Sequence, residues 1–246
     1  MSETSARRIS VVFGVGAASG LGAALARRFA REGLVVYLAG RTQERLEARA
    51  AEIRAAGGEA HARGLDATKE GEVIALLDEA VQGGALDLVV FNAGANVAAP
   101  LLDVSAHEFE QLWRQNAFGG FLVGREAARR MAPNGRGVIL FTGATASLRA
   151  RPPFTAFAAA KAALRAVAQG LAREFGPRGL HVAHIVIDGV IDGDYARARF
   201  PQFVAAKGED GLLKADEIAD AYWSLYRQPR SAFTHELDLR PFSEPF

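Results

Sequence analysis

The chain contains no cysteine, and that absence removes disulfide bonds and thiolate metal sites from its chemistry. It also lacks an excess of either charge. Its 29 Lys and Arg against 28 Asp and Glu leave a formal net charge of +1, too balanced to favour nucleic acid or an anionic membrane as partner. Long hydrophobic runs are missing as well. The uncharged stretch from Ile9 to Ala26, preceded by Arg7 and Arg8, is the nearest approach to a signal sequence or a short span. Gly14, Gly16, Gly20 and Gly22 break it, and Arg27, Arg28, Arg31 and Glu32 continue a helical pattern in place of a polar cleavage region. The stretch therefore reads as a buried strand, a turn and a helix, and with no cysteine the expected location is cytoplasmic. The five histidines are scattered, and His181 and His184 face opposite sides of a strand, so no metal site is expected. A G-x-S-x-G nucleophile elbow is absent, since Ser19 sits in a different glycine spacing.

Against these absences, half of the 246 residues are hydrophobic, enough for a sizeable core. Short β-branched or apolar runs alternate with longer helical patterns. Strands are expected at Ile9–Val15, Val35–Ala39, Glu59–Leu65, Leu86–Phe91, Gly137–Thr142, His181–Ile187 and Phe233–Leu239. Helices are expected near Gly20–Glu32, Gln43–Ala56, Lys69–Gln82, Ser105–Met131, Thr155–Phe175 and Ala215–Arg227. Strands that read as continuous apolar runs are covered on both faces, which implies a parallel sheet between helices. The expected fold is α/β: a single Rossmann-like, doubly wound domain over residues 1–246, with about seven strands. Ser105 and Glu108 form an S-x-x-E capping box before an apolar run. The one long loop, Asp188–Leu213, follows the sixth strand and is expected to border a substrate.

The first turn carries the strongest chemical signal. Gly16-Ala17-Ala18-Ser19-Gly20-Leu21-Gly22 follows the first strand and opens the first helix. Glycines there let the backbone approach a pyrophosphate, while the helix start offers free N–H groups and a favourable dipole. In this strand-to-helix context the spacing points to a bound dinucleotide. The second strand ends in Leu38-Ala39-Gly40-Arg41-Thr42, without the acid that would hold both ribose hydroxyls of NAD(H). Arg41 is instead suited to a 2′-phosphate through its charged fork, so NADP(H) is favoured over NAD(H).

Two polar residues interrupt otherwise apolar helix faces. Lys161 falls within the stripe of Phe154, Phe157, Ala158, Leu164, Ala168, Leu171 and Phe175. It either snorkels to solvent or holds cofactor hydroxyls. Asn116 falls on the face formed by Phe109, Leu112, Trp113, Phe121 and Ala128, which is expected to be buried. It is either a plain core amide or part of a water and backbone network at a site. Gly119 and Gly120 follow it and admit another backbone at close range.

With these residues in order along almost the whole chain, the sequence resembles the short-chain dehydrogenase/reductase family. The resemblance is carried by Gly16-x-x-x-Gly20-x-Gly22, Asp66-Ala67, Asn92-Ala93-Gly94, Asn116 and Lys161. It implies cofactor contacts from Gly16, Ala18, Ser19, Gly20, Leu21, Gly22, Asp66 at the adenine, Ala67, Asn92, Ala93, Gly94, Gly189, Ile191, and Lys161 at the nicotinamide ribose. It also implies a relay water at Asn116, and a homodimer or homotetramer packed through the two long helices, with the aromatic Phe233–Phe246 as a last strand and interface tail.

The resemblance breaks in the active site. Phe157 stands where the family places its Tyr, four residues before Lys161, and Ala144 is the best match to its Ser, with Thr145 and Ser147 as nearby hydroxyls. Val15, Phe91, Asp188-Gly189 and Gly193 are further departures. The implied activity is NADP(H)-dependent oxidation or reduction of a small carbonyl, alcohol or enone. Three possibilities remain for the missing proton donor. Asp188, Asp192 or Tyr195 supplies the proton; the substrate needs no acid; or the protein binds cofactor without turnover as a sensor or scaffold. Arg149 and Arg151 border the expected substrate cleft, where they are either solvated or an anion site.

Overall fold

The structure of the protein, a computed structural model, describes residues 7–245, so Phe246 of the C-terminal tail lies outside the described residues. The strands are β1 (Arg8–Phe13), β2 (Val35–Gly40), β3 (Glu59–Gly64), β4 (Ala85–Phe91), β5 (Gly137–Thr142), β6 (Leu180–Ile187) and β9 (Glu236–Leu239), with a small ribbon of β7 (Ile191–Asp192) and β8 (Leu213–Lys214). The helices are α1 (Leu21–Arg31), α2 (Gln43–Ala55), α3 (Glu70–Gly83), α4 (Ala106–Trp113), α5 (Gly119–Met131), α6 (Thr155–Phe175), α7 (Asp194–Arg199), α8 (Pro201–Lys207) and α9 (Ala215–Tyr226). Seven strands pair in the order β3-β2-β1-β4-β5-β6-β9, and every pairing is parallel.

The apolar runs become strands because side chains alternate to two covered faces. Val12, Val36, Leu38, Leu88 and Val90 meet Leu25 and Phe29 of α1, Leu46 of α2 and Tyr222 of α9. Val11, Phe13, Val89, Phe91 and Phe141 meet Val73 and Leu77 of α3, Leu122 of α5 and Leu164 of α6. Each such Leu, Val or Phe contributes about 1.5–3 kcal/mol by leaving water. The strand order reverses between β1 and β4, and a crevice opens at their carboxyl ends.

Three expectations need correction. The helix expected over Ser105–Met131 is not continuous: residues Arg114–Phe118 form a π turn between α4 and α5. The Asn116 amide donates to the Leu112 carbonyl (2.9 Å) and to the Ala95 carbonyl (3.0 Å), so a side chain competes with the backbone ladder and the helix takes up an extra residue.

The second correction concerns the face of this helix. Phe109, Trp113 and Phe121, expected in the core, are 41%, 40% and 39% exposed. The side toward the sheet is occupied by Phe91, Phe141, Leu164 and Leu171, which press against Gly119, Gly120 and Gly124. Only small residues fit there, and the large aromatics stack with Phe118 on the outside. The glycines thus admit mostly side chains where another backbone was expected.

Third, residues 188–213 are not a structureless loop. β7, α7, α8 and the start of β8 occupy most of that span, and the amide of Asp194 donates to the Ser19 hydroxyl at 3.1 Å, docking the segment on the glycine turn.

The capping box is fully formed at α4: the Ser105 hydroxyl accepts from the Glu108 amide, and the Glu108 carboxylate accepts from the Ser105 amide. Ser105→Ala is expected to cost about 1 kcal/mol, read as a lower urea midpoint at unchanged slope.

Candidate functional site

Two adjoining hollows lie at the carboxyl ends of the strands. The first, about 260 Å³, is bounded by the β1–α1 turn, the end of β2, the segment after β3 and the end of β4. It collects Gly16, Arg41, Asp66, Ala67, Asn92, Ala93 and Gly94 from the sequence expectations. The second, about 510 Å³, shares Asn92 and Gly94 with it and adds Asn116, Ala144, Phe157, Lys161, Asp188, Gly189 and Ile191. The expected residues therefore converge on one continuous cleft from six different strand ends. Ala18, Ser19, Gly20, Leu21 and Gly22 do not line either hollow; they shape the turn behind it.

The turn shows why glycine is required. Gly14 adopts φ +92°, a conformation closed to most side chains, and a Cβ there would overlap the Ala93 amide. A Cβ on Gly22 would overlap the Gly14 carbonyl oxygen, so α1 could not start so close to β1. Gly16 is different: a Cβ there would meet nothing within 4 Å and would stand in open space at the crevice that Gly16 lines. No side chain caps the start of α1 and no acid lies in its first turn, so its positive end is available to an anion.

The opposite wall is pinned by Asn92, whose amide donates to the Gly14 carbonyl at 3.1 Å and ties the end of β4 to the end of β1. Asp66 accepts from the Thr68 amide (2.9 Å) and hydroxyl (2.8 Å). Burial pushes its carboxyl up, but those bonds, with Lys69 and Arg41 nearby, hold it below the usual range. Arg41 sits at the mouth, exposed, beside Gly40 and Asp66.

Lys161 does not snorkel. It is 6% exposed, and its ammonium donates to the Thr142 carbonyl at 2.8 Å. Desolvation lowers its pKa to about 8. The Phe157 ring lies against the same ammonium, 5.7 Å from Nζ to the ring centre. Thr142 is itself fixed from the other side of the sheet, where its hydroxyl shares a 2.8 Å hydrogen bond with buried Tyr222 of α9. Asn116 spends both amide hydrogens on carbonyls, while its Oδ1 is buried without a partner and faces Gly94. That oxygen has the surroundings of a water site.

The hydroxyls near Ala144 are already engaged. Thr145 donates to the Asp188 carboxylate, and Ser147 donates to the Ala144 carbonyl at 2.6 Å. Asp188 also pairs with Arg240 at 2.8 Å and lies 3.8 Å from Arg149. It is an ion-paired acceptor that locks the loop after β5 to the loop after β6. Asp192 is paired with Arg197 at 2.7 Å, and Tyr195 is 72% exposed. Neither lines the second hollow.

Several lining residues were not anticipated. Gly14, Val15, Gly40, Thr68, Gln111 and Gln115 border the first hollow. Gln111 and Gln115 are one helical turn apart and could have been found from that spacing. Asn96, Thr142, Phe154, Glu244 and Pro245 border the second. Glu244 reaches it because its carboxylate pairs with Lys207 of α8 at 2.6 Å, a contact no local pattern announces. Among the described residues, no group of three or more His, Asp or Glu side chains is arranged to hold a metal, and no helix is long and apolar enough to cross a membrane.

Comparison with known proteins follows the same lines. The family model described as short chain dehydrogenase matches residues 10–202. The chain is 33% identical over 193 residues to gluconate 5-dehydrogenase of Gluconobacter oxydans (strain 621H), covering 77% of this chain and 73% of the relative. It is likewise 33% identical over 189 residues to the cyclic-di-GMP-binding biofilm dispersal mediator protein of Escherichia coli (strain K12), covering 76% of this chain and 75% of that protein. Among solved structures, a short-chain dehydrogenase from Rhodopseudomonas palustris superposes with a TM-score of 0.81 at 42% identity, covering 96% of this chain and 99% of that one. A metagenomic short-chain oxidoreductase solved in complex with NADP gives a TM-score of 0.80 at 28% identity, covering 96% and 97%.

Proposed function

Because the chain belongs to the short-chain dehydrogenase family, we propose that it is an NADP(H)-dependent oxidoreductase acting on a small carbonyl, alcohol or enone through an atypical active site. The observation that carries the cofactor reading is the first hollow itself. Gly16 leaves it open where a Cβ would stand, and Arg41 flanks it at the end of a strand that bears no carboxylate. Gly14, Gly16 and the start of α1 would hold the diphosphate, Asp66 the adenine side, Arg41 the 2′-phosphate and Lys161 the nicotinamide ribose.

When bound, the coenzyme would supply or accept hydride. The chain's own task is then the proton. Phe157 has none to give, and Thr145, Ser147 and Asp188 are committed to one another and to the backbone. Lys161 uses one N–H on Thr142 and turns the rest of its ammonium toward the second hollow, near Gly94 and Phe157. With a pKa of about 8, that ammonium or a water held by Asn116 Oδ1 is the group suited to protonate a substrate oxygen or carbon. The relatives differ in what they act on or bind: one is a gluconate 5-dehydrogenase, another a glucose 1-dehydrogenase, and a third is named for binding a cyclic dinucleotide.

A second reading is favoured by the same missing hydroxyl: a protein that binds NADP(H) without turnover, as sensor or scaffold. The two readings share the cofactor and differ in catalysis. We also carry over self-association into a dimer or tetramer, supported by the exposed Trp113 and Phe121, which stack on partly buried Phe118 along one helix face.

Arg41→Ala is expected to weaken NADPH about 10–100-fold, the worth of one charge-assisted contact, and to leave NADH unchanged. Titration of nucleotide fluorescence checks both. Equal weakening of the two nucleotides would remove the phosphate role from Arg41, and no NADPH signal with the native protein would overturn the cofactor reading. Carbonyls and enones screened for NADPH loss then separate enzyme from silent binder.

A further inference from the structure

We propose that the substrate is an anion, carrying a carboxylate or a phosphate ester that Arg149 and Arg151 hold at the outer end of the second hollow. The inference rests on the reading of that hollow as the substrate cleft, and it names the chemistry that cleft selects.

The argument is one of uncompensated charge. The segment between β5 and α6 places both Arg149 and Arg151 on the lining of the cavity. It is held there on two sides: the Phe154 amide donates to the Arg151 carbonyl at 2.8 Å, and the Ala99 amide donates to the Pro153 carbonyl at 3.0 Å, so the wall is attached to the chain that follows β4. The nearest carboxylate, Asp188, does not neutralise this pair. It already binds Arg240 at 2.8 Å and the Thr145 hydroxyl, and Arg149 reaches it only at 3.8 Å. The Nε of Arg149 is buried with no hydrogen-bond partner. Arg151 has no carboxylate partner among the described residues and is exposed. The other carboxylate on the cavity, Glu244, is spent on Lys207. Lys161 adds a third cation deeper in the same space.

A buried guanidinium nitrogen without an acceptor costs about 1–3 kcal/mol, more for a charged group, unless an incoming oxygen satisfies it. Two arginines on one cavity lining, one half-buried and one exposed, offer forked donors that match the geometry of a carboxylate or a phosphate. The same lining carries apolar side chains as well, Phe154, Phe157 and Ile187, and the Phe157 ring lies beside the Lys161 ammonium. The cleft thus combines anion-holding arginines, apolar side chains and a reacting site beside Lys161. A small oxo acid, or the phosphate ester of a small carbonyl compound, has a matching combination of groups.

The test uses the full-length protein and calorimetry, with and without saturating NADPH. The probes are 2-oxoglutarate, its dimethyl ester, glucose 6-phosphate and glucose. At least one of the two anions is expected to bind 10-fold or more tighter than its neutral counterpart, and the difference should shrink as salt is raised. The winning anion distinguishes carboxylate from phosphate. Arg151→Gln is expected to remove that preference while leaving NADPH affinity unchanged, and because Arg151 is exposed the variant keeps its fold. Arg149→Gln should do the same. If neither anion exceeds its neutral partner, or if the preference survives in both variants, the inference is overturned even though NADPH still binds. A protein that binds no NADPH but retains the anion preference would instead sink the oxidoreductase reading alone.

Discussion

Replacing Phe157 by tyrosine is expected to raise NADPH-dependent reduction of a carbonyl substrate about 10²–10⁴-fold, the usual contribution of a positioned acid. The scaffold for that acid is already in place. The ring lines the second hollow and lies 5.7 Å from the Lys161 ammonium, which is anchored on Thr142 and cannot swing away. A para hydroxyl on this ring is expected to enter the cavity that the ring lines, where the nearby cation would favour its ionised form and so both place and activate the new phenol. Stability should change by less than about 0.5 kcal/mol, since no buried partner is lost. The measurement is NADPH consumption by native and variant protein on the same carbonyl panel. Activity confined to the variant would identify the native protein as a silent binder. Equal rates in the two would show that proton delivery does not limit the native reaction, and would defeat the account of Phe157 as a missing acid.

Lys161→Met should act on stability and function in opposite directions. The buried ammonium has its pKa moved from 10.5 to about 8 by desolvation, equivalent to about 3 kcal/mol at 1.36 kcal/mol per tenfold. The sign follows from proton counting. Between those two values the unfolded chain holds a proton that the folded chain has released, so stability rises with pH across that window. Below pH 8 the folded protein carries the whole cost of a buried charge. Methionine fills similar space without it, but leaves the Thr142 carbonyl without its donor, a loss of about 1 kcal/mol. The net expectation at pH 7 is a variant more stable by about 2 kcal/mol, with the advantage fading as pH approaches 10.5. Urea unfolding at pH 7 and pH 10 checks it, and a variant less stable at pH 7 would show that the ammonium is better solvated or paired than its burial implies. The same change should weaken NADPH and abolish turnover, and in the native protein reduction should decline above pH 8 as Lys161 loses its proton.

How much of this could be read from residue order depends on the range of the interaction. The parallel sheet was legible because a strand covered on both faces must be apolar throughout, as Val35–Ala39 and His181–Ile187 nearly are. The glycine turn was legible because α1 starts so close to β1 that a Cβ at Gly22 has no room. The capping box at Ser105 was legible because both its partners lie within one helical turn. Lys161 stood out as a charge in an apolar stripe. Each of these is a local constraint written in one short segment.

The misreadings share a cause in distance. Of the stripe on the helix after Ser105, Leu112 and Ala128 are buried, but the volume beside the helix is filled by Phe91 and Phe141 from other strands, so glycines face them and Phe109, Trp113 and Phe121 face out. The π turn at Asn116 depends on the Ala95 carbonyl, brought in from the chain beyond β4. Asp188 looked like a free acid because Arg240 and Thr145, which occupy it, are dozens of residues away. The state of Arg149 and Arg151 as solvated or unsatisfied charges was equally invisible, because it turns on which carboxylates are already taken. Residue order alone was enough for the doubly wound fold and for the strand-to-helix glycine turn beside the crevice, since these answer to backbone sterics and burial period. Which polar groups are spent and which remain for a ligand was settled by packing, because a hydrogen bond or an ion pair is exclusive and its competitors are gathered only when the chain is folded.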